Sequence, residues 1–170
     1  MSLANKITLG RAFLIPPIVV LFFLGERLAA FLLFGFACAG DVLDGMVARS
    51  RGEITTWGKA LDPAVDKALY LSLVFSLYVQ GTLSLLALLL FLAPQIGLAV
   101  GAVVLRVREQ IVQGSRVPGK FASLLSFTAI AFLLIDWPGG TELFYAAIAA
   151  TYIASIDYVR AARAPHGISS

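Results

Sequence analysis

The chain has 170 residues, 59% of them hydrophobic and 14% charged, with a mean hydropathy of +0.90; these values exclude an ordinary water-soluble domain. The net charge of +3 comes without a basic stripe interleaved with aromatics, which argues against a nucleic-acid partner. Apolar runs recur along the whole chain with no linker, low-complexity block or charge run between them, so the composition predicts an integral membrane protein with a single domain over residues 1–170.

The apolar runs predict an all-α fold of six transmembrane helices, about Ile7 to Leu24, Leu28 to Ala48, Leu61 to Val79, Leu83 to Leu105, Phe121 to Ile135 and Thr141 to Val159. The first has the look of a signal peptide, with Lys6 and Arg11 ahead of Ala12 to Leu24 and small residues at Ala29 and Ala30. Asn5, Thr8 and Arg11 nevertheless recur at helical spacing on its polar flank, which favours a retained span. Pro16, Pro17 and Pro94 each remove a backbone donor and predict kinks. In the second run only 13 apolar-rich residues, Leu28 to Gly40, precede Asp41; in the third only 12, Ala68 to Val79, follow Lys67. A crossing helix needs roughly 20 residues, so the carboxylates must stand within the membrane or at its edge. Gly97 and Gly101 form a GxxxG that predicts close helix packing in the fourth span. The single Cys38 excludes a disulfide framework and a thiolate metal site, and His166 lies in a polar tail.

Charge sets the orientation. With six spans, Lys6, Arg11, Arg49, Arg51, Lys59, Arg106, Arg108, Arg116, Lys120, Arg160 and Arg163 fall on one side; Arg27 alone falls in a loop on the other, and Lys67 lies inside a span. The positive-inside rule then places both termini and the acidic stretch in the cytoplasm. The opposite connections, around Gly25 to Arg27, Gln80 to Thr82 and Asp136 to Gly140, are short enough for tight hairpins.

Four of the ten acidic residues are the aspartates Asp41, Asp44, Asp62 and Asp66. The first two are three apart and the last two four apart, so each pair shares one face of its helix. Antiparallel neighbours joined by a loop around Arg51 to Trp57 would gather all four at the cytoplasmic end. Gly45, Ala48 and Gly58 leave room there for a backbone or ligand. Four anions in a low-dielectric cavity repel one another, and ionisable groups inside membranes imply function. Arg49 and Lys67 offset two charges, and all-oxygen ligation suits hard divalent cations. Two such ions roughly 3.5 to 4 Å apart could clamp a phosphoryl group between attacking and leaving oxygens. A bare salt-bridge cluster holding helices together is the competing reading, and unpaired desolvated charge is a poor source of stability.

Asp41-Val-Leu-Asp44-Gly45-Met-Val-Ala48-Arg49, eight residues, Gly58, three residues, Asp62, three residues, Asp66 resembles the signature of the CDP-alcohol phosphatidyltransferases at all eight fixed positions. The six-span layout and Asn5, Thr8 and Arg11 resemble the phosphatidylglycerophosphate synthase branch, as do Asp62-Pro63 and Asp66-Lys67. The resemblance implies a binuclear site for two divalent cations, Mg²⁺ or Mn²⁺, held by Asp41, Asp44 and Asp62. Asp66 would be a further ligand or the general base that takes the acceptor's proton. It implies that Gly45, Ala48, Arg49 and Gly58, with Asn5 and Thr8, line the cytidine and diphosphate site, and that the protein is a homodimer. The expected reaction moves a phosphatidyl group from CDP-diacylglycerol to an alcohol and releases CMP, in a bacterial inner membrane with the site facing the cytoplasm.

The acceptor is read from the cations between the fourth and fifth spans. Arg106, Arg108, Arg116 and Lys120 cluster there, and Gly119-Lys120 and Arg108-Glu109 resemble pairs of the family; Arg108, Arg116 and Lys120 are the candidates to hold an acceptor phosphate, with glycerol 3-phosphate expected. Only ten residues separate Glu109 from Lys120, fewer than that branch leads one to expect, so phosphatidylglycerol or an inositol phosphate remain as acceptors, and topological anchoring remains as another use of these cations. An intramembrane prenyltransferase would need a second carboxylate motif, but Glu109, Asp136, Glu142 and Asp157 are scattered. A divalent-cation transporter would spread its ligands over two halves, whereas these lie in one.

Overall fold

A computed structural model of the chain describes residues 3–51, 56–107 and 117–163, with side chains over 8–40, 64–97 and 117–160. Among the described residues there are six α-helices and no strand: α1 (Leu3–Phe23), α2 (Arg27–Arg51), α3 (Thr56–Val79), α4 (Leu85–Val107), α5 (Val117–Leu134) and α6 (Gly140–Arg163). Each predicted run lies on a helix of its own. The largest shift is at α3, which begins at Thr56, so that Trp57 belongs to its first turn and not to the connection. Both α1 and α4 continue through their prolines.

Helix length and apolar length differ in α2. Arg27–Gly40 is a short apolar segment by itself, yet α2 runs on unbroken through Asp41 and Asp44 to 25 residues, about 37 Å at ~1.5 Å per residue. Val117–Leu134 is the one helix among the described residues long and apolar enough by itself to cross a membrane; Thr8–Phe23, Arg27–Gly40 and Leu85–Gly97 are shorter apolar helices.

Three helix ends close in the same way. At the end of α1, Gly25 N–H bonds Phe22 O at 3.2 Å and Glu26 N–H bonds Leu21 O at 3.0 Å; at the end of α3, Gly81 N–H bonds Tyr78 O and Thr82 N–H bonds Leu77 O, both at 2.9 Å. These are Schellman caps, with Gly25 and Gly81 in the left-handed region at φ 84° and 78°. The end of α5 repeats the pattern with Asp136 at φ 52°. The predicted tight connections are therefore hairpins set by local backbone chemistry.

One compact unit comprises Met1–Ser84 with Ile130–Pro138. In it α1 packs against both α2 and α3. Ile18 and Phe22 of α1, Ala30, Phe34 and Ala37 of α2, and Leu69, Leu73 and Leu77 of α3 are buried at helical spacing. Gln80 Nε2 donates to Phe22 O at 3.1 Å and fastens the end of α3 to that of α1. Arg27, read as the lone cation of its side, pairs with Asp136 at 2.5 Å without hydrogen-bond directionality, its guanidinium carbon 5.6 Å from the Phe22 ring centroid. The other unit comprises Leu85–Ala129 with Gly139–Ser170, where α4 packs on α6 and the buried rings of Phe91 and Phe144 stack at 5.4 Å. Ser126 and Thr151 are buried there and satisfy their hydroxyls on the carbonyls four residues back.

The outward faces are apolar as well. Leu28, Leu32 and Phe36 recur at four-residue steps along α2 and are 66%, 61% and 67% exposed, on a helix that buries Ala30, Phe34 and Ala37. Apolar residues both inside and outside are what a lipid-facing helix requires. A Cβ at Gly97 would meet nothing within 4 Å, so among the described residues this glycine makes no close helix contact; Gly101 lies outside the described side chains.

The caps generate a test. Gly25→Ala and Gly81→Ala place a Cβ in the left-handed region with no neighbour to clash with, so each should cost about 1 kcal/mol from conformation alone. Gly97→Ala, in a helix with open space, should be neutral or stabilising. Thermal unfolding of the three variants in one detergent measures this, and an equal loss in Gly97→Ala would disprove the left-handed backbone as the cause.

Candidate active site

The site is built where α1 meets the two acidic helices. Thr8 and Arg11 lie one turn apart on α1 and are buried, with Arg11 only 3% exposed. A guanidinium inside an apolar unit requires acceptors, and it finds them on both neighbours. Arg11 Nη2 forms an ion pair and hydrogen bond with Oδ1 of Asp66 on α3. Arg11 Nε donates to the carbonyl oxygen of Ala37 on α2 at 3.0 Å. The side chain passes so close to α2 that a Cβ at Gly40 would stand 3.2 Å from Arg11 Cγ and Cδ. Gly40 thus provides the space for the arginine stem one residue before Asp41.

Asp66 keeps 23% of its side chain exposed, so its carboxylate lies between a buried cation and solvent. Breaking such a buried pair from the Arg11 side would leave a charge uncompensated, a cost of about 3 to 5 kcal/mol when desolvation is complete and less here because Asp66 remains partly solvated. Lys67, expected to offset the aspartates, is half-buried and makes no ion pair among the described residues. The compensating cation on the described part of the site is Arg11, which the charge pattern assigned to cytoplasmic anchoring.

The other expected residues are placed by backbone alone. Asp41, Asp44, Gly45, Ala48 and Arg49 lie on α2, Gly58 and Asp62 on α3, and Asn5 on α1, with their side chains outside the described residues. Arg108 and Arg116 lie outside the described residues altogether; Lys120 stands exposed in the first turn of α5. The structure therefore brings together Arg11, Asp66, the Ala37 carbonyl and Gly40. Among the described residues no group of three His, Cys, Asp or Glu side chains gathers around a metal position. The donor chemistry fits a hard cation all the same: Asp66 offers carboxylate oxygen at a partly solvated position, and the chain's single Cys and single His exclude a soft-ligand set.

Sequence reasoning missed Arg11, Ala37 and Gly40 as parts of the site. Arg11 did carry a signal, because a charge deep in an apolar helix needs a partner. The Ala37 carbonyl carried none, since only packing decides which backbone oxygen a neighbouring side chain reaches.

Comparison with known proteins gives a consistent set of relatives. The family described as CDP-alcohol phosphatidyltransferase matches residues 1–156. A probable phosphatidylglycerophosphate synthase of Mycobacterium tuberculosis, in the CDC 1551 and H37Rv strains alike, is 31% identical over 98% of this chain and 85% of its own length. The CDP-diacylglycerol–glycerol-3-phosphate 3-phosphatidyltransferase of Aquifex aeolicus is 30% identical over 79% of this chain and 75% of its own. The Rickettsia typhi protein of the same name is 34% identical over 55% of this chain and 54% of its own. With the eight signature positions carried on two unbroken helices, and a family match that reaches from the first residue to α6, this chain belongs to the CDP-alcohol phosphatidyltransferase family.

Proposed function

We propose that the protein transfers a phosphatidyl group from CDP-diacylglycerol to glycerol 3-phosphate and releases CMP. The observation that carries the reading is the Asp41 to Asp66 signature on α2 and α3, in a chain matched over 98% of its length by a relative named a probable phosphatidylglycerophosphate synthase. The chain acts as one catalytic domain, multi-pass in a bacterial inner membrane, with six spans, both termini and the site on the cytoplasmic side, and as a homodimer. The positive-inside distribution supports the orientation, and the apolar outward faces support the membrane.

Each substrate then has its own route. The lipid stays in the leaflet with its diphosphate at the interface, and the water-soluble acceptor arrives from the cytoplasm. Asp41, Asp44 and Asp62, with Asp66, would hold two Mg²⁺ or Mn²⁺ ions, which when bound neutralise the diphosphate and polarise its oxygens. Gly45, Ala48 and Gly58 admit the cytidine and diphosphate, Arg49 adds positive charge beside them, and Asn5 and Thr8 border the site from α1. Asp66 takes the proton of the acceptor hydroxyl, whose oxygen forms a new bond to the phosphorus that bears the lipid. The bridging P–O bond breaks, and its electron pair leaves with CMP. Arg108, Arg116 and Lys120 hold the acceptor phosphate through charge-assisted bonds.

The direct test is CMP release from CDP-diacylglycerol by purified protein with divalent ion, across glycerol 3-phosphate, glycerol, an inositol phosphate and phosphatidylglycerol. Glycerol 3-phosphate should be turned over fastest; a faster acceptor would replace it in the reading.

Three further outcomes are expected. Cysteines at Arg51 and Arg116, without Cys38, should react with impermeant reagents only from the cytoplasmic side, and one at Gly81 from outside; the reverse overturns the orientation. Asp41→Asn, Asp44→Asn and Asp62→Asn should lose transfer, with excess divalent ion restoring part of it in at least one of them. Asp66→Asn should lose roughly 10² to 10⁴ in rate with no rescue, and full rescue by metal would leave Asp66 a ligand only. Removing any one of the three acceptor cations should raise the acceptor KM about ten- to a hundredfold, with the CDP-lipid KM unchanged, since each phosphate contact contributes roughly 1.5 to 3 kcal/mol. Flat acceptor kinetics in all three variants would sink the glycerol 3-phosphate assignment.

A further inference from the structure

We propose that Arg11 is a positioning residue for Asp66: anchored to α2 through the Ala37 carbonyl and the space at Gly40, its guanidinium fixes where the Asp66 carboxylate stands. The inference rests on the reading of Asp66 as the proton acceptor. Its geometric basis is independent of that reading. One planar fork uses Nε on α2 and Nη2 on α3, so the relative placement of the two acidic helices is referred to a single rigid group. The stem that carries the fork runs so close to α2 that a Cβ at Gly40 would stand 3.2 Å from it, and Arg11 is only 3% exposed. A buried guanidinium of this kind acts through Asp66 and not on the substrate.

A lysine at this position would keep the charge but has no fork with which to hold both partners. Charge compensation and positioning therefore separate in the same pair of variants. Arg11→Gln removes both. Arg11→Lys keeps the first and loses the second.

The experiment uses the full chain in nanodiscs, with wild type, Arg11→Lys, Arg11→Gln, Asp66→Asn and the double variant Arg11→Gln/Asp66→Asn. Thermal unfolding of the metal-free proteins gives a readout that does not depend on turnover. The double variant should unfold no lower than the less stable single variant, because the two changes remove one interaction; strictly additive losses overturn the pair. In turnover with divalent ion, Arg11→Lys should unfold near wild type yet lose roughly ten- to a hundredfold in kcat, with the CDP-lipid KM within about threefold of wild type. Wild-type kcat in Arg11→Lys overturns the inference, since charge alone would then suffice. A rise in KM at unchanged kcat also overturns it, because Arg11 would then act in binding. If Arg11→Gln fails to fold, Arg11→Lys decides alone. Wild-type turnover in Asp66→Asn would instead bring down the proton-acceptor reading, and the role of Arg11 with it; slow Asp66→Asn beside wild-type Arg11→Lys removes only the latter.

Discussion

Helices in lipid are not driven together by the hydrophobic effect, because the surrounding tails are as apolar as the side chains; packing and polar contacts must hold them. Among the described residues, the polar contact that joins three helices is the buried guanidinium of Arg11. It grips a carbonyl of α2 and a carboxylate of α3 from α1, the helix that packs on both. The interaction is directional, so it fixes rotation and register as well as proximity. Ile18, Phe22, Phe34, Leu69 and Leu73 fill the space around this joint, but apolar contacts of that kind tolerate sliding in a way that a two-point fork does not.

The same contact links stability to chemistry. Asp66 is needed as an anion to satisfy Arg11, and it is the residue read as taking the acceptor's proton. The far ends of the same unit are tied more weakly. Arg27 and Asp136 are 34% and 57% exposed, so their ion pair contributes at most about 1 kcal/mol, and the Schellman caps at Gly25 and Gly81 set the hairpins there by backbone chemistry. Precision is concentrated at the acidic end.

The apolar exterior and the interrupted apolar runs are one fact seen twice. Leu28, Leu32 and Phe36 line the outer side of α2 as far as the point where Asp41 begins, and the helix does not stop there. Continuing the helix satisfies its backbone groups through the polar segment.

Much of this was legible in the residues alone. The six helices follow from apolar runs separated by glycine and charge, because backbone hydrogen bonding in lipid leaves helix as the ready solution. The family was legible in eight fixed residues at fixed spacing, and helical periodicity sets Asp41 with Asp44, and Asp62 with Asp66, on shared faces without any tertiary information. The turns at Gly25 and Gly81 were legible as positions, since only a residue without a Cβ occupies the left-handed region at no cost. Tertiary structure alone decided the rest. It made Arg11 the partner of Asp66 where charge counting made it an anchor, gave Gly40 its purpose, and picked the Ala37 carbonyl out of the backbone oxygens on α2. The physical reason is that periodicity along one helix fixes which residues share a face, while the partner of that face depends on how a second helix is rotated and seated against it, and no local pattern carries that information.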